Sequence, residues 1–225
     1  DTADMFAAPV ETKETQITRV ENNGHAMAPY MMSVALWVGC IAFSLMYPLT
    51  KYSGKLKSGL AWWGSKASVL YLIALLQAAV MIFMLHLCDG FEPVEMGKTL
   101  AVACLASVAF MSVMYFFTNT FGKVGSFLML VFMVIQLAGS VGTYPLELSG
   151  SFVPYLHDWV PFTYTVEAFR STISGGESIQ EAVIFLTVLW IVFTLLTILE
   201  FQIRTLKMKR GKRTLDNWLE EKGLA

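Results

Sequence analysis

Residues 182–203 read AVIFLTVLWIVFTLLTILEFQI, and this stretch contains one charged side chain, Glu200. A helix of that length spans about 33 Å, which is enough to cross a bilayer hydrocarbon core about 30 Å thick. The apolar residues do not alternate with polar ones, which excludes the strand pattern of a membrane barrel. The stretch therefore predicts a transmembrane α-helix.

Four further stretches of the same kind lie upstream, at residues 29–49, 67–88, 99–118 and 125–142, and none contains Asp, Glu, Lys or Arg. The chain of 225 residues is 56% hydrophobic and 15% charged. A soluble domain has about 25% charged residues. We therefore predict an all-α integral membrane domain, residues 29–203, with five transmembrane helices.

Basic residues are concentrated in alternate connections of this predicted domain. Twelve of the sixteen Lys and Arg residues follow the first, third or fifth helix; they are Lys51, Lys55, Lys57, Lys66, Lys123, Arg204, Lys207, Lys209, Arg210, Lys212, Arg213 and Lys222. Because cytoplasmic loops of membrane proteins are enriched in Lys and Arg, the pattern predicts a basic cytoplasmic tail, residues 204–225. It also predicts that the N-terminal segment, residues 1–28, is extracellular.

An extracellular N-terminal segment requires an earlier signal or membrane span to carry it across. Residues 1–23 are polar and acidic and do not resemble a signal peptide. We therefore expect one more transmembrane helix upstream, giving six in the intact protein. Residues 1–28 would then be the end of a larger ectodomain.

The connection at residues 143–181 is too long and too apolar for an ordinary loop. It contains Pro145, Pro154 and Pro161, and its charged residues prevent it from crossing the membrane as one helix. The pattern predicts an outer hairpin of two short amphipathic helices, broken near Pro154 and Pro161, that lies in the interface or re-enters the membrane. A plain extracellular loop is the alternative.

The connection at residues 50–66 mixes lysines with leucines and tryptophans, as in KLKSGLAWWGSK at residues 55–66. It predicts a short helix along the inner membrane surface. Its lysines would meet anionic lipid of the inner leaflet, or the segment would bind a cytoplasmic partner. Both interpretations fit the spacing.

Few polar groups lie within the predicted spans. Gln77 and Gln136 are near mid-span, and Gly139 and Gly142 permit close helix packing. An interhelical hydrogen bond is the expected role of each glutamine. Glu200 precedes Arg204 by four residues, which predicts an ion pair on one helix face.

No catalytic constellation is present in the sequence. It has no nucleotide-binding glycine-rich loop, no metal-ligand spacing among its three cysteines, and no nucleophile beside a base. We expect no enzymatic activity, no cofactor or metal, and no nucleic-acid partner.

The outer hairpin resembles the end of the membrane domain in type-2 ABC exporter permeases. The similar positions are Tyr144, Pro145, Pro154, Pro161, Tyr164, Glu167 and Arg170. The segment from Met27 to Phe43 resembles the start of the C-terminal membrane domain in the YhgE/Pip (phage infection protein) family, through Ala-Pro-Tyr at 28–30 and Leu-Trp-Val-Gly at 36–39.

This resemblance implies a permease-like domain in a bacterial plasma membrane, working as a homodimer with a separate ATPase subunit. It also implies that the first cytoplasmic connection is a coupling segment for that ATPase, with Lys55, Lys57, Trp62, Trp63 and Lys66 as its candidate residues. The alternative function is a cell-surface anchor or phage receptor, or an accessory subunit of a type VII-like secretion system. Phage or secretion-system components would then be the partners.

The charge pattern generates a topology test. A cysteine at Ser53 is expected to resist membrane-impermeant thiol reagents in intact cells, whereas a cysteine at Ser149 is expected to react. Labelling of the unsubstituted chain, which has three cysteines, gives the background. The reverse labelling pattern would overturn the predicted orientation.

Overall fold

The computed structural model describes residues 23–51, 57–140, 153–176 and 178–210. These residues form six helices: α1 (Asn23–Met46), α2 (Gly59–Asp89), α3 (Met96–Gly139), α4 (Val153–His157), α5 (Pro161–Ser174) and α6 (Gln180–Lys209). The described part of the chain contains no strand. Four of its helices, α1, α2, α3 and α6, are long and apolar enough to cross a membrane, which confirms the all-α integral membrane class.

Helix α3 folds back on itself at Gly122. This residue has φ 60° and ψ −137°, a conformation accessible in practice only to glycine. The hydroxyls of Thr118 and Ser126 are 3.0 Å apart, whereas eight residues of a straight helix would separate them by about 12 Å. The third and fourth predicted helices are therefore the two antiparallel arms of α3: a first arm (residues 96–121) and a second arm (residues 123–139).

The first arm forms the centre of the bundle. The most apolar window of α3 is 67% buried, compared with 22% in α2 and 17% in α6. Small side chains permit this close packing; the fully buried ones include Ala103, Ala106, Ser107 and Ala109. Trp37 of α1 contacts both arms, through Phe110 at 4.9 Å and Phe132 at 5.8 Å between ring centroids.

The region of the predicted outer hairpin contains two short helices, α4 and α5, separated by residues 158–160. Helix α5 is more deeply buried than an interfacial helix. Its start lies deep in the bundle, where Phe162 packs on Trp37 at 5.6 Å and on Phe110 at 5.8 Å. Its end lies at the α2–α3 connection, because Val94 and Glu95 donate backbone hydrogen bonds to the last turn of α5. This geometry favours the re-entrant form over a plain loop.

The prediction of a separate surface helix at residues 55–66 is wrong. Residues 59–66 are the first turns of α2, which is capped by the Ser58 hydroxyl accepting from the Ala61 amide at 3.1 Å. Helix α6 likewise continues to Lys209 instead of ending near residue 203, because Arg204 is buried against α3. Tyr144, Pro145, Gly142 and Lys55 lie outside the described residues.

The two ends of the bundle carry opposite charge. Of the seven acidic residues that the structure describes, six lie at the end formed by the α2–α3 connection and α4–α5; they are Asp89, Glu92, Glu95, Asp158, Glu167 and Glu181. The other end holds the start of α2, the Gly122 turn and the end of α6, and its cations are Lys51, Lys57, Lys66, Lys123, Arg204, Lys207, Lys209 and Arg210. We call these the acidic end and the basic end.

The tight turn of α3 generates a stability prediction. A Cβ atom at Gly125 would collide with the carbonyl of Phe117 in the first arm. We expect Gly125→Ala to destabilise the detergent-solubilised protein by about 1–3 kcal/mol, as overpacking does. The measurement is its thermal unfolding midpoint.

Gly64→Ala is the matched control, because a Cβ there meets nothing within 4 Å. Alanine is a better helix former than glycine by up to about 1 kcal/mol, so this variant should be neutral or stabilised. Equal effects of both substitutions would contradict the hairpin packing.

Candidate functional site at the basic end

The tryptophans of the predicted coupling segment point into the bundle. Trp62 is 4% exposed and packs edge-on against Phe201 of α6, with ring centroids 4.9 Å apart. The backbone carbonyl of Trp63 accepts a hydrogen bond from the Tyr115 hydroxyl at 3.2 Å. The Trp62 side chain therefore joins α2 to the core and is not part of a docking face, and the Trp63 side chain is half-buried against the same core.

The exposed part of this segment is its first turn. Lys57 is exposed, and the Leu60 side chain is 51% exposed. Lys66 is turned toward α1, since its Nζ donates to the Pro48 carbonyl at 2.7 Å and lies 5.0 Å from the centre of the Tyr47 ring. Lys57 and Leu60, together with the small side chains of Ala61 and Ser65, are the exposed residues of the described part of this segment.

Arg204 is the buried cation of the basic end, with 2% exposure. Its guanidinium donates to the Asn119 carbonyl at 2.9 Å, to Asn119 Oδ1 at 3.4 Å and to Glu200 Oε1 at 3.3 Å. It also lies 5.8 Å from the Trp62 ring centre, within the range of a cation–π contact. The Glu200–Arg204 pair predicted from spacing is confirmed.

Asn119 was missed by sequence reasoning. It follows the apolar stretch 99–118 and reads as a loop residue, yet it is 1% exposed. The signal that could have identified it is its position, because a polar residue that directly follows an apolar helix can continue that helix.

The start of α2 also touches the backbone of α6. A Cβ at Gly59 would lie 2.7 Å from the Phe201 carbonyl and 2.8 Å from the Gln202 nitrogen. Together with the Trp62 and Arg204 contacts, this fixes α2, α3 and α6 to one another at the basic end.

Gln77 joins three helices within the bundle. Its Nε2 donates to Ser107 Oγ of α3 at 2.7 Å and lies 3.1 Å from Cys40 Sγ and 3.3 Å from the Leu36 carbonyl of α1. Gly39 makes room for it, because a Cβ there would collide with Gln77 Oε1. The predicted interhelical hydrogen bond is present in the structure.

Gln136 and Gly139 hold the α4–α5 region against the second arm of α3. Gln136 is fully buried, and its Oε1 accepts from the Phe162 amide at 3.3 Å. Pro161, which has no amide hydrogen, occupies the first position of α5. A Cβ at Gly139 would lie 2.9 Å from Leu156 of α4, so this glycine permits the close packing expected of it.

The remaining hairpin residues lie at the surface of the acidic end. Tyr164 stacks on Phe185 of α6 at 3.8 Å, and its hydroxyl donates to the Asp158 carbonyl at 3.0 Å. Glu167 and Arg170 are exposed, with Glu167 Oε1 3.7 Å from His157 Nε2. Pro154 lies within α4. These residues orient α4 and α5, and no group of three potential metal ligands occurs among the described residues.

Residues 2–199 match the model of the ABC-2 family transporter protein. Over 173 residues, 77% of its length, the chain is 35% identical to the uncharacterized protein YhgE of Bacillus subtilis (strain 168). It spans 22% of the length of that relative. No solved structure matches.

The Arg204 contacts generate a prediction about stability. Arg204→Met removes the guanidinium that pairs with Asn119 and Glu200, and hydrogen bonds to charged groups contribute about 1.5–3 kcal/mol each. We expect the free energy of unfolding to fall by at least about 2 kcal/mol, measured by denaturant titration in micelles.

Lys207→Met makes the same charge change at an exposed residue of the same helix. Its expected effect is within about 0.5 kcal/mol of zero. A similar loss in both variants would mean that net charge, and not the buried contacts, stabilises this end.

Proposed function

Because this chain belongs to the ABC-2 family of transporter proteins, in its YhgE/Pip-like branch, we propose that it is the membrane domain of an export permease. A separate ATPase subunit binds its basic end and supplies the energy. The basic end faces the cytoplasm of a bacterial cell and the acidic end faces outward. The proposal for this orientation rests on the positive-inside rule and on the segregation of charge between the two ends.

The observation that carries the proposal is the chain of close contacts between the exposed start of α2 and the centre of the bundle. Gly59 abuts the α6 backbone, Trp62 packs on Phe201, and Arg204 ties α6 to Asn119. A partner that moves Lys57 and Leu60 therefore moves α6 and α3 as well. A passive anchor has no need of such a connection.

In this proposal the transport path lies between two copies of the chain. The exposed sides of α2 and α6 are apolar, and their exposed large residues include Leu72, Leu76, Phe83, Ile184, Val188 and Leu195. Lipid covers part of this surface, and the remainder is available to a homodimer. The described spans offer no charged site at mid-depth that would select a small ion.

The docking turn generates a binding test. We expect Lys57→Glu combined with Leu60→Glu to lower recovery of the ATPase at least tenfold when the full-length protein is cross-linked in cells and purified. A tenfold loss corresponds to about 1.4 kcal/mol of binding free energy. Loss of an apolar contact together with reversal of a charge is expected to exceed this value. The ATPase is recognised by its glycine-rich phosphate-binding loop.

Lys207→Glu combined with Met208→Glu is the matched control, because it changes one exposed lysine and one exposed apolar residue at the same end. Recovery should then stay within twofold of the unsubstituted protein. If the unsubstituted protein recovers no ATPase, the anchor or receptor function replaces the permease proposal.

A further inference from the structure

A cleft of about 300 Å³ opens at the basic end, between the end of α1 with the residues that follow it and the Gly122 turn of α3. Its size is at the lower limit of ligand sites, roughly 300–1,000 Å³. The lining residues are Ser44, Leu45, Met46, Tyr47, Pro48, Leu49, Thr50, Lys51, Thr118, Asn119, Gly122, Lys123 and Ser126.

The charge of this lining is entirely positive. Lys51 and Lys123 belong to it and both side chains are exposed, whereas no aspartate or glutamate is among the lining residues. The hydroxyls of Thr118 and Ser126 add polar atoms to the same wall. Two cations beside hydroxyl groups are the chemistry that holds a phosphate.

Asn119 gives an independent sign of a ligand. It is 1% exposed, it lines the cleft, and its Nδ2 has no hydrogen-bond partner among the described residues. Arg204 fixes the amide orientation, because a guanidinium only donates and therefore pairs with Oδ1. A buried donor without an acceptor lowers the stability of the fold. A phosphate oxygen is an acceptor of the required kind.

The apolar side of the cleft indicates how the phosphate is presented. Leu45 and Met46 also line it, and they are 54% and 83% exposed. A soluble anion gains nothing from these side chains, whereas an amphiphile places its acyl chains against them. Basic pockets between transmembrane helices at the cytoplasmic side bind anionic lipid headgroups.

We propose that this cleft is a specific site for the phosphate of an anionic phospholipid. Lys51 and Lys123 bind the phosphate, Asn119 Nδ2 donates to one of its oxygens, and Leu45 and Met46 contact the acyl chains. The bound lipid joins the end of α1 to the turn of α3, beside Asn119, which pairs with Arg204. The inference does not depend on an ATPase partner.

Native mass spectrometry of the purified full-length protein tests the site, with phosphatidylglycerol titrated against a background of phosphatidylcholine. One lysine near an anionic surface contributes about fivefold in affinity, so Lys51→Gln with Lys123→Gln is expected to weaken phosphatidylglycerol binding about 25-fold. Lys207→Gln with Lys209→Gln is the control of equal charge change outside the cleft, and it should change binding less than twofold.

The Asn119→Asp variant tests the role of the Nδ2 donor independently of protein stability. The carboxylate keeps an acceptor for Arg204, so the protein should remain folded, but it removes the Nδ2 donor and repels phosphate. We expect at least a tenfold loss of phosphatidylglycerol with an unchanged thermal unfolding midpoint.

Two results would overturn the proposal. Equal losses in the two lysine pairs would mean that lipid binds only through the general charge of the basic end. Displacement of the lipid by inorganic phosphate at millimolar concentration would mean that the ligand is a soluble anion. Retention of phosphatidylglycerol against inorganic phosphate supports a lipid source.

Discussion

Lipid hydrocarbon offers no hydrogen-bond partner, so a polar group within the bundle has to find one inside the protein. This constraint accounts for the interhelical hydrogen bonds of three buried polar side chains. Gln77 bridges α2 to α1 and α3, the Gln136 side chain accepts from the buried Phe162 amide at the start of α5, and Arg204 pairs with Asn119. Each of these contacts connects helices that hydrophobicity alone would leave free to slide, because lipid chains are as apolar as the side chains.

The buried helix α5 depends on the same constraint. Its first turn lies deep in the bundle, and a proline at its first position together with the Gln136 carbonyl oxygen reduces the number of unsatisfied amides there. Gly139 allows α4 to lie close enough for His157 Nδ1 to approach the Gly139 carbonyl at 3.0 Å. Helix α4 is thus held by its contacts with Gly139, and helix α5 by the Gln136 hydrogen bond and by Trp37 against Phe162.

Hydropathy could predict the apolar segments, because length and absence of charge are properties of single stretches. It could not predict which face of α2 carries contacts. The resemblance implied a coupling role for Trp62, but this side chain packs on Phe201. Arg204 was assigned to the tail because a charge ends an apolar window, although a paired guanidinium can remain buried in a helix. Helix α2 begins at Gly59 with Ser58 as its N-cap, and hydropathy does not report capping. Partner pairs such as Asn119 and Arg204, 85 residues apart, require the tertiary structure.

The turn at Gly122 has a consequence for how the protein enters the membrane. Only this residue departs from helical geometry between the two arms of α3, so no linker separates them. The arms therefore partition into the bilayer as one hairpin, with Thr118 and Ser126 paired across it. Lys123 lies directly after the turn, and in the proposed orientation its charge keeps the turn on the cytoplasmic side. The most buried helix of the bundle is in this sense placed by one glycine and one lysine.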